Sequence, residues 1–205
     1  MSTLETNLVQ PSTGTALTIG ASGDTITVPS GATFNVAGTL QSGGSAITQG
    51  ITQADQWRIT SAYDYPSSGA TQFSANWERI DTDSPGLIGS GMTESSGVFT
   101  FPSTGIYLVH FFTNVLSAAA SNYIGFYTDL STDGGGSFDY LNGNWDSADA
   151  SARAMAISAQ SLVDVTSTSN VKVRFTASAS GSGHDYQGNT GVTYTGATFI
   201  RLGDT

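Results

Sequence analysis

Between Ile106 and Phe112 the chain reads Ile-Tyr-Leu-Val-His-Phe-Phe, and every position but His110 carries a large apolar or aromatic side chain. Successive side chains of a strand point to opposite faces. Tyr107, Val109 and Phe111 therefore make one face, and Ile106, Leu108, His110 and Phe112 make the other. A sheet in an antiparallel sandwich meets its partner sheet on one face only. The second apolar face needs a cover of its own, because a bare one is the kind of patch that marks an interaction site. Another copy of the same chain would supply that cover. A loop of the chain itself is the competing arrangement.

The rest of the C-terminal three quarters reads as more strands. Segments 56–63, 76–80, 97–101, 122–130, 152–165, 170–178 and 192–202 are rich in aromatic and β-branched residues, with turn-forming stretches such as DSPG, STDGGGS and NGN between them. Many short strands at this spacing predict an all-β fold, an antiparallel sandwich or jelly roll. The alternation is clean over 171–178: Val171, Val173, Phe175 and Ala177 face inward, and Lys172, Arg174, Thr176 and Ser178 face a wet side. Composition agrees. Charged residues are 11% of the chain, against the roughly 25% usual for globular domains, and Gly, Ser, Thr and Asn carry the polarity, which suits sheets and turns.

Residues 1–50 are of another character. Leu17 with Ile19, Ile26 with Val28, and Phe34 with Val36 form alternating apolar pairs, each closed by a small-residue turn and recurring after nine and then eight residues. Near-regular repetition suggests units that cannot bury their own apolar pair alone. Three copies winding together would bury them, giving an extended β-rich stalk or attachment segment ahead of a head at 51–205. A Gly/Ser/Thr linker is the competing reading.

Charge excludes several functions. Six Lys and Arg against sixteen Asp and Glu give a formal charge of −10, which repels phosphate backbones and anionic lipid. No nucleic-acid partner is expected. The most apolar stretch, about 105 to 127, is broken by polar residues such as His110, Asn114 and Asn122, so no membrane insertion is expected either. The start lacks a basic region followed by an apolar run, predicting a soluble chain without a cleavable export signal. There is no cysteine, hence no disulfide framework.

Chemistry is sparse. The Gly-x-Ser-x-Gly nucleophile pattern occurs nowhere. Of the two histidines, His110 sits in a strand among aromatics, and His184 in a loop-like segment beside Asp185. Carboxylates fall at turn positions instead of forming the facing pair that glycoside hydrolysis needs. No P-loop or dinucleotide motif is present. An enzyme is not expected, and no cofactor. Asp129, Asp133, Asp139, Asp146 and Asp149 could offer hard oxygen ligands to calcium, although their spacing does not match an EF-hand loop. In DYLNGNWDSAD, Tyr140, Asn142, Asn144, Trp145 and Asp146 would share one polar turn able to stack on a sugar ring and bond its hydroxyls. Closing the end of the sandwich core is the other use for such rings, and for Trp77.

The segment SSGVFTFPSTGIYLVHFF resembles the hallmark of the globular heads of complement and collagen-type proteins, within the tumour necrosis factor-like jelly rolls. A strand (Val98 to Phe101), a Pro-x-x-Gly turn (Pro102 to Gly105) and a Gly-x-Tyr aromatic strand (Tyr107) follow in that family's order. TYTGATFIRLGD is similar to its closing strand, and the resemblance covers roughly 55 to 205. It departs from the family in its longer head, its lack of cysteines and its missing collagen stalk. Together with the low-charge start, the chain looks like small fibre or decoration proteins of tailed phages. The resemblance implies a homotrimer whose interface holds Ile106, Leu108, His110, Phe112, Tyr194 and Phe199. It implies a structural protein of the virion, assembled in the host cytoplasm and joined to other virion proteins through residues 1–50. The alternative is an adhesin head that grips a host surface glycan.

Overall fold

The structure, a computed structural model, describes residues 9–47, 50–66, 69–82 and 86–205. The chain divides into two units, Met1–Ile47 and Thr48–Thr205. In the first unit the strands are a short hairpin, β1 (Gln41–Ser42) and β2 (Ser45–Ala46). The second unit holds β3 (Ala54–Ile59), β4 (Ser61–Asp64), β5 (Gly69–Gln72), β6 (Trp77–Arg79), β7 (Leu87–Ile88), β8 (Thr93–Ser95) and β9 (Val98–Thr100). It continues with β10 (Gly105–Leu116), β11 (Ser121–Ser131), β12 (Asp139–Ala148), β13 (Ala154–Val165), β14 (Lys172–Ala179), β15 (Asp185–Asn189) and β16 (Gly196–Gly203). No described residue is helical.

Two antiparallel sheets form a sandwich. The eight-stranded sheet runs β4-β15-β10-β16-β3-β6, with β13 on the other side of β10 and β7 beside β3. The six-stranded sheet runs β12-β11-β14-β9-β8, with β5 also paired to β14. β10 is central: β13 lies along its whole length, from Val165 opposite Gly105 to Ala154 opposite Leu116, while β16 pairs with its other edge.

Strand parity sets the core. Tyr107, Val109, Phe111 and Val115 of β10 are buried. The Phe111 ring lies 4.4 Å from Phe175 of the facing sheet with planes 14° apart, and 4.6 Å from Phe126. Phe99, Phe199 and Tyr186 extend this aromatic centre. Trp77 packs its ring edge-on to Phe99 at 4.9 Å and donates its indole N–H to Phe73 O at 2.7 Å, so it serves the core. Gly105, which closes the Pro-x-x-Gly turn, has a φ of +139°, and a Cβ there would come within 2.5 Å of Gly203 O. Only glycine fits that corner. Buried charges at the β3 end are paired, as burial demands: Asp55 accepts from Trp57, Arg79 and the Met92 N–H, and Arg58 bonds Glu78 and Asp81.

The fold differs from the sequence reading at several elements. Residues 9–40 contain no strand, and Leu17, Ile19, Ile26, Val28, Phe34 and Val36 are all exposed, up to 69% at Phe34. An alternating pair with no strand alongside has nothing to bond its backbone or cover its side chains, so alternation alone does not make a strand in one chain. The turns between the pairs do form: Gly20, Gly23 and Gly31 have positive φ, and the Asp24 carboxylate accepts from Ala21 N at 2.7 Å. The first eight residues of that segment, and most of the DSPG turn, lie outside the described residues.

DYLNGNWDSAD is no turn: it is strand β12, held against β11 by a ladder from Ala148 opposite Ser121 to Asp139 opposite Leu130. The loop-like GHDYQGN segment runs into β15, and His184 is buried, its Nδ1 accepting from Ala118 N at 3.2 Å. The wet side expected of β14 is partly dry. Thr176 and Ser178 are buried, and the Thr176 hydroxyl donates to Asp129 at 2.6 Å.

Candidate interaction surfaces

Two surfaces of the sandwich carry outward-facing apolar or aromatic residues, one on each sheet. On the eight-stranded sheet, Ile106, Leu108, His110 and Phe112 alternate with the core residues of β10 and point outward, half-buried in the single chain. Their cross-strand neighbours extend the surface. Leu108 lies between Ile200 of β16 and Leu162 of β13, and Ala54 and Ile88 continue the row across β3 and β7. No charge interrupts that row, and Leu162 at its end is 63% exposed. His110 sits between Thr198 and Gln160 with its ring 5.5 Å from Phe112. Burial holds this imidazole below the ordinary histidine range. His110, Phe112 and Tyr194 border an open depression of about 300 Å³ with Asn114, Ala156 and Ser158.

Five of the six expected interface residues therefore share one region of the outer surface, and one does not. Phe199 is 1% exposed and packs on Phe99, Phe101 and Phe175 inside the sandwich. It stands opposite Val109, an inward position, so parity places it in the core. Ile200 and Leu202 are the residues of β16 that the alternation of 197–202 should have nominated instead, and Leu162 and Ile88 join them only through strand pairing, which one sequence does not display.

On the six-stranded sheet, the set of residues 140–146 separates by face, and the β-bulge between Thr128 and Asp129 turns Tyr140 to the side of Trp145 instead of that of Asn142 and Asn144. Trp145 stands opposite Gly125, and Gly143 opposite Tyr127. The indole lies over both glycines: a Cβ at Gly125 would fall 2.6 Å from its Cδ1, and one at Gly143 2.4 Å from its Cη2. Tyr127 stands at 70° to the indole, 4.8 Å away, and Tyr140 stacks on Tyr127 at 4.0 Å with planes 11° apart. Tyr123, Tyr127 and Trp145 line an open depression of about 370 Å³. Asn142 and Asn144 turn the other way, their amides donating to Ser161 Oγ and Ser158 O of β13. Asp146 accepts from the N–H of Ser147 at 2.7 Å. Tyr123 and Tyr127, one strand away, are not legible as part of this set because their nearness to Trp145 depends on the pairing of β11 with β12.

The aspartates considered for calcium serve separate local ends. Asp129 is buried and accepts from Arg174 and Thr176. Hydrogen bonds from the Ser137 backbone and hydroxyl and from Ser131 hold the Asp133 carboxyl well below the usual carboxylate range. Asp149 pairs with Arg153. Among the described residues no three His, Asp or Glu side chains gather as metal ligands do.

No model of a known protein family matches the chain, and no curated protein matches it in sequence. Solved structures do. The structure of Eiger TNF from S. frugiperda aligns over 76% of this chain and 95% of its own, with TM-score 0.58 and 12% identity. Murine APRIL at pH 5.0 aligns over 73% of this chain and 98% of its own, with TM-score 0.53 and 13% identity. At such identities the likeness is one of fold. The head has a TNF-like jelly roll.

Proposed function

We propose that this chain is a structural protein of a phage virion, a homotrimeric fibre, spike or capsid decoration protein. The observation that carries the reading is the apolar row Ile88, Ala54, Ile200, Leu108 and Leu162 on the outer face of the eight-stranded sheet, with Phe112 beside it. Monomers seldom leave such a row in water. A closed threefold arrangement hides the same patch on every copy at once, with His110 and Phe112 at the contact between heads. Residues 1–50 attach to other virion proteins or wind with their two sister segments, since their apolar pairs at 17–36 are exposed. The formal charge of −10 keeps dense arrays of heads apart.

Light scattering on the purified chain tests the assembly: the mass should be three times 21.1 kDa. A monomer mass removes the trimer and, with it, the spike. Imaging of intact particles tests the location, which should show residues 1–50 against the particle and the head outward.

A further inference from the structure

The depression on the six-stranded sheet is lined by Tyr123, Tyr127 and Trp145, and among the described residues no charged or amide side chain joins them. That composition decides between ligand chemistries. A sugar needs fixed donors and acceptors around its hydroxyls, yet Asn142 and Asn144 spend their amides on β13, on the other side of the strand. A cation whose charge is shielded by methyl groups has no hydrogen bond to satisfy, and is drawn to the negative faces of Trp and Tyr rings.

The walls are also held in place before any ligand arrives. Trp145 is seated on Gly125 and Gly143, where any Cβ would displace it. Tyr127 is braced at its angle to Trp145 by the stacked ring of Tyr140. Preorganised rings lose little freedom on binding. The formal charge of −10 favours a cationic occupant from a distance.

We propose that Tyr123, Tyr127 and Trp145 form a binding site for a quaternary ammonium group, of the trimethylammonium kind carried by free choline or by a phosphocholine headgroup. The site lies on the sheet opposite the proposed subunit contact, so its occupancy and the trimer are tested separately.

The test is calorimetric titration of the full chain at low salt with tetramethylammonium chloride, choline chloride and ammonium chloride, and with methyl glucoside. Saturable binding of the two methylated cations, with none for ammonium or the glucoside, is the expected result. Trp145→Ala should abolish it and Tyr127→Ala should weaken it about tenfold, the equivalent of about 1.4 kcal/mol. Trp145→Phe, which keeps a ring on the two glycines, should restore part of the affinity and so separates loss of the site from loss of the fold. Flotation with phosphatidylcholine vesicles then identifies the source, since capture points to a headgroup and its absence, alongside choline binding, to the free cation. No heat with tetramethylammonium in a folded wild-type chain, or binding that survives Trp145→Ala, overturns the proposal. Saturation by the glucoside alone replaces it with a sugar platform.

Discussion

Phe111 and Phe112 are chain neighbours on opposite faces of one strand, and they should fail in different ways when changed. Phe111 is fully buried, with rings of Phe126 and Phe175 within 4.6 Å of it. Phe111→Ala removes those contacts and leaves a cavity, costing about 3–5 kcal/mol of head stability. For a domain of this size that lowers the melting temperature by very roughly 6–20 °C. Phe112 is half-buried on the outer face, its ring 5.5 Å from His110 and beside Gly196, so Phe112→Asp should lower the melting temperature of a dilute, dissociated head much less than Phe111→Ala does. At a subunit contact the same carboxylate would be buried without a partner, at about 3–5 kcal/mol for each copy. Taking about 4 kcal/mol, the association constant falls nearly a thousandfold per contact, at about 1.4 kcal/mol for each tenfold. Light scattering across a dilution series, with thermal unfolding on the same samples, reads both quantities. A Phe112→Asp protein that remains trimeric at low concentration shows that this side of β10 is not the contact. A Phe111→Ala protein that melts like the wild type shows that the core has been assigned to the wrong face.

Other consequences can be measured directly. Asp55→Ala should cost about 3–5 kcal/mol in urea unfolding, because Arg79 and the N–H groups of Trp57 and Met92 lose a buried acceptor together; a loss under 1 kcal/mol, within the range of an ordinary surface change, would contradict this. Burial holds the imidazoles of His110 and His184 below their ordinary range, so the unfolded chain takes up protons first as pH falls. Their contribution to stability is complete above about pH 6.5 and is lost below it. The double variant His110→Gln, His184→Asn should flatten that acid-side slope in melting temperature, and an unchanged slope would assign it to other groups. A fragment starting at Thr48 should keep its sheet spectrum and a cooperative transition, because the buried apolar residues run from Ile59 to Phe199; a molten fragment would make residues 1–47 part of the fold.

How far this structure could be read from its residues depends on where each signal resides. β10 and β13 are legible because a long apolar or alternating run needs no partner to be recognised, and the outward set of β10 follows from counting by twos. β12 is hidden because Asn142, Gly143 and Asn144 have turn chemistry, while their reason for being in a strand lies elsewhere: the glycine seats Trp145, and the amides reach β13. Phe199 belongs to the core and not to the interface the resemblance implies, because its pairing with Val109 puts it inside. The apolar pairs of residues 17–36 show the opposite limit, since a strand pattern without a neighbouring strand remains only a pattern. Buried His184 was missed because nothing local distinguishes a histidine under a loop from one on it.

The amides of Asn142 and Asn144 have one more effect. β12 and β13 are outermost strands of their respective sheets on the same side of the sandwich, where bare backbone would invite a strand from a foreign molecule. By capping Ser158 O and gripping Ser161, they lace that open seam shut. Crowded heads can then touch flank to flank without zipping into a continuous sheet, and a variant stripped of both amides should turn gel-like on concentration well before it loses its fold.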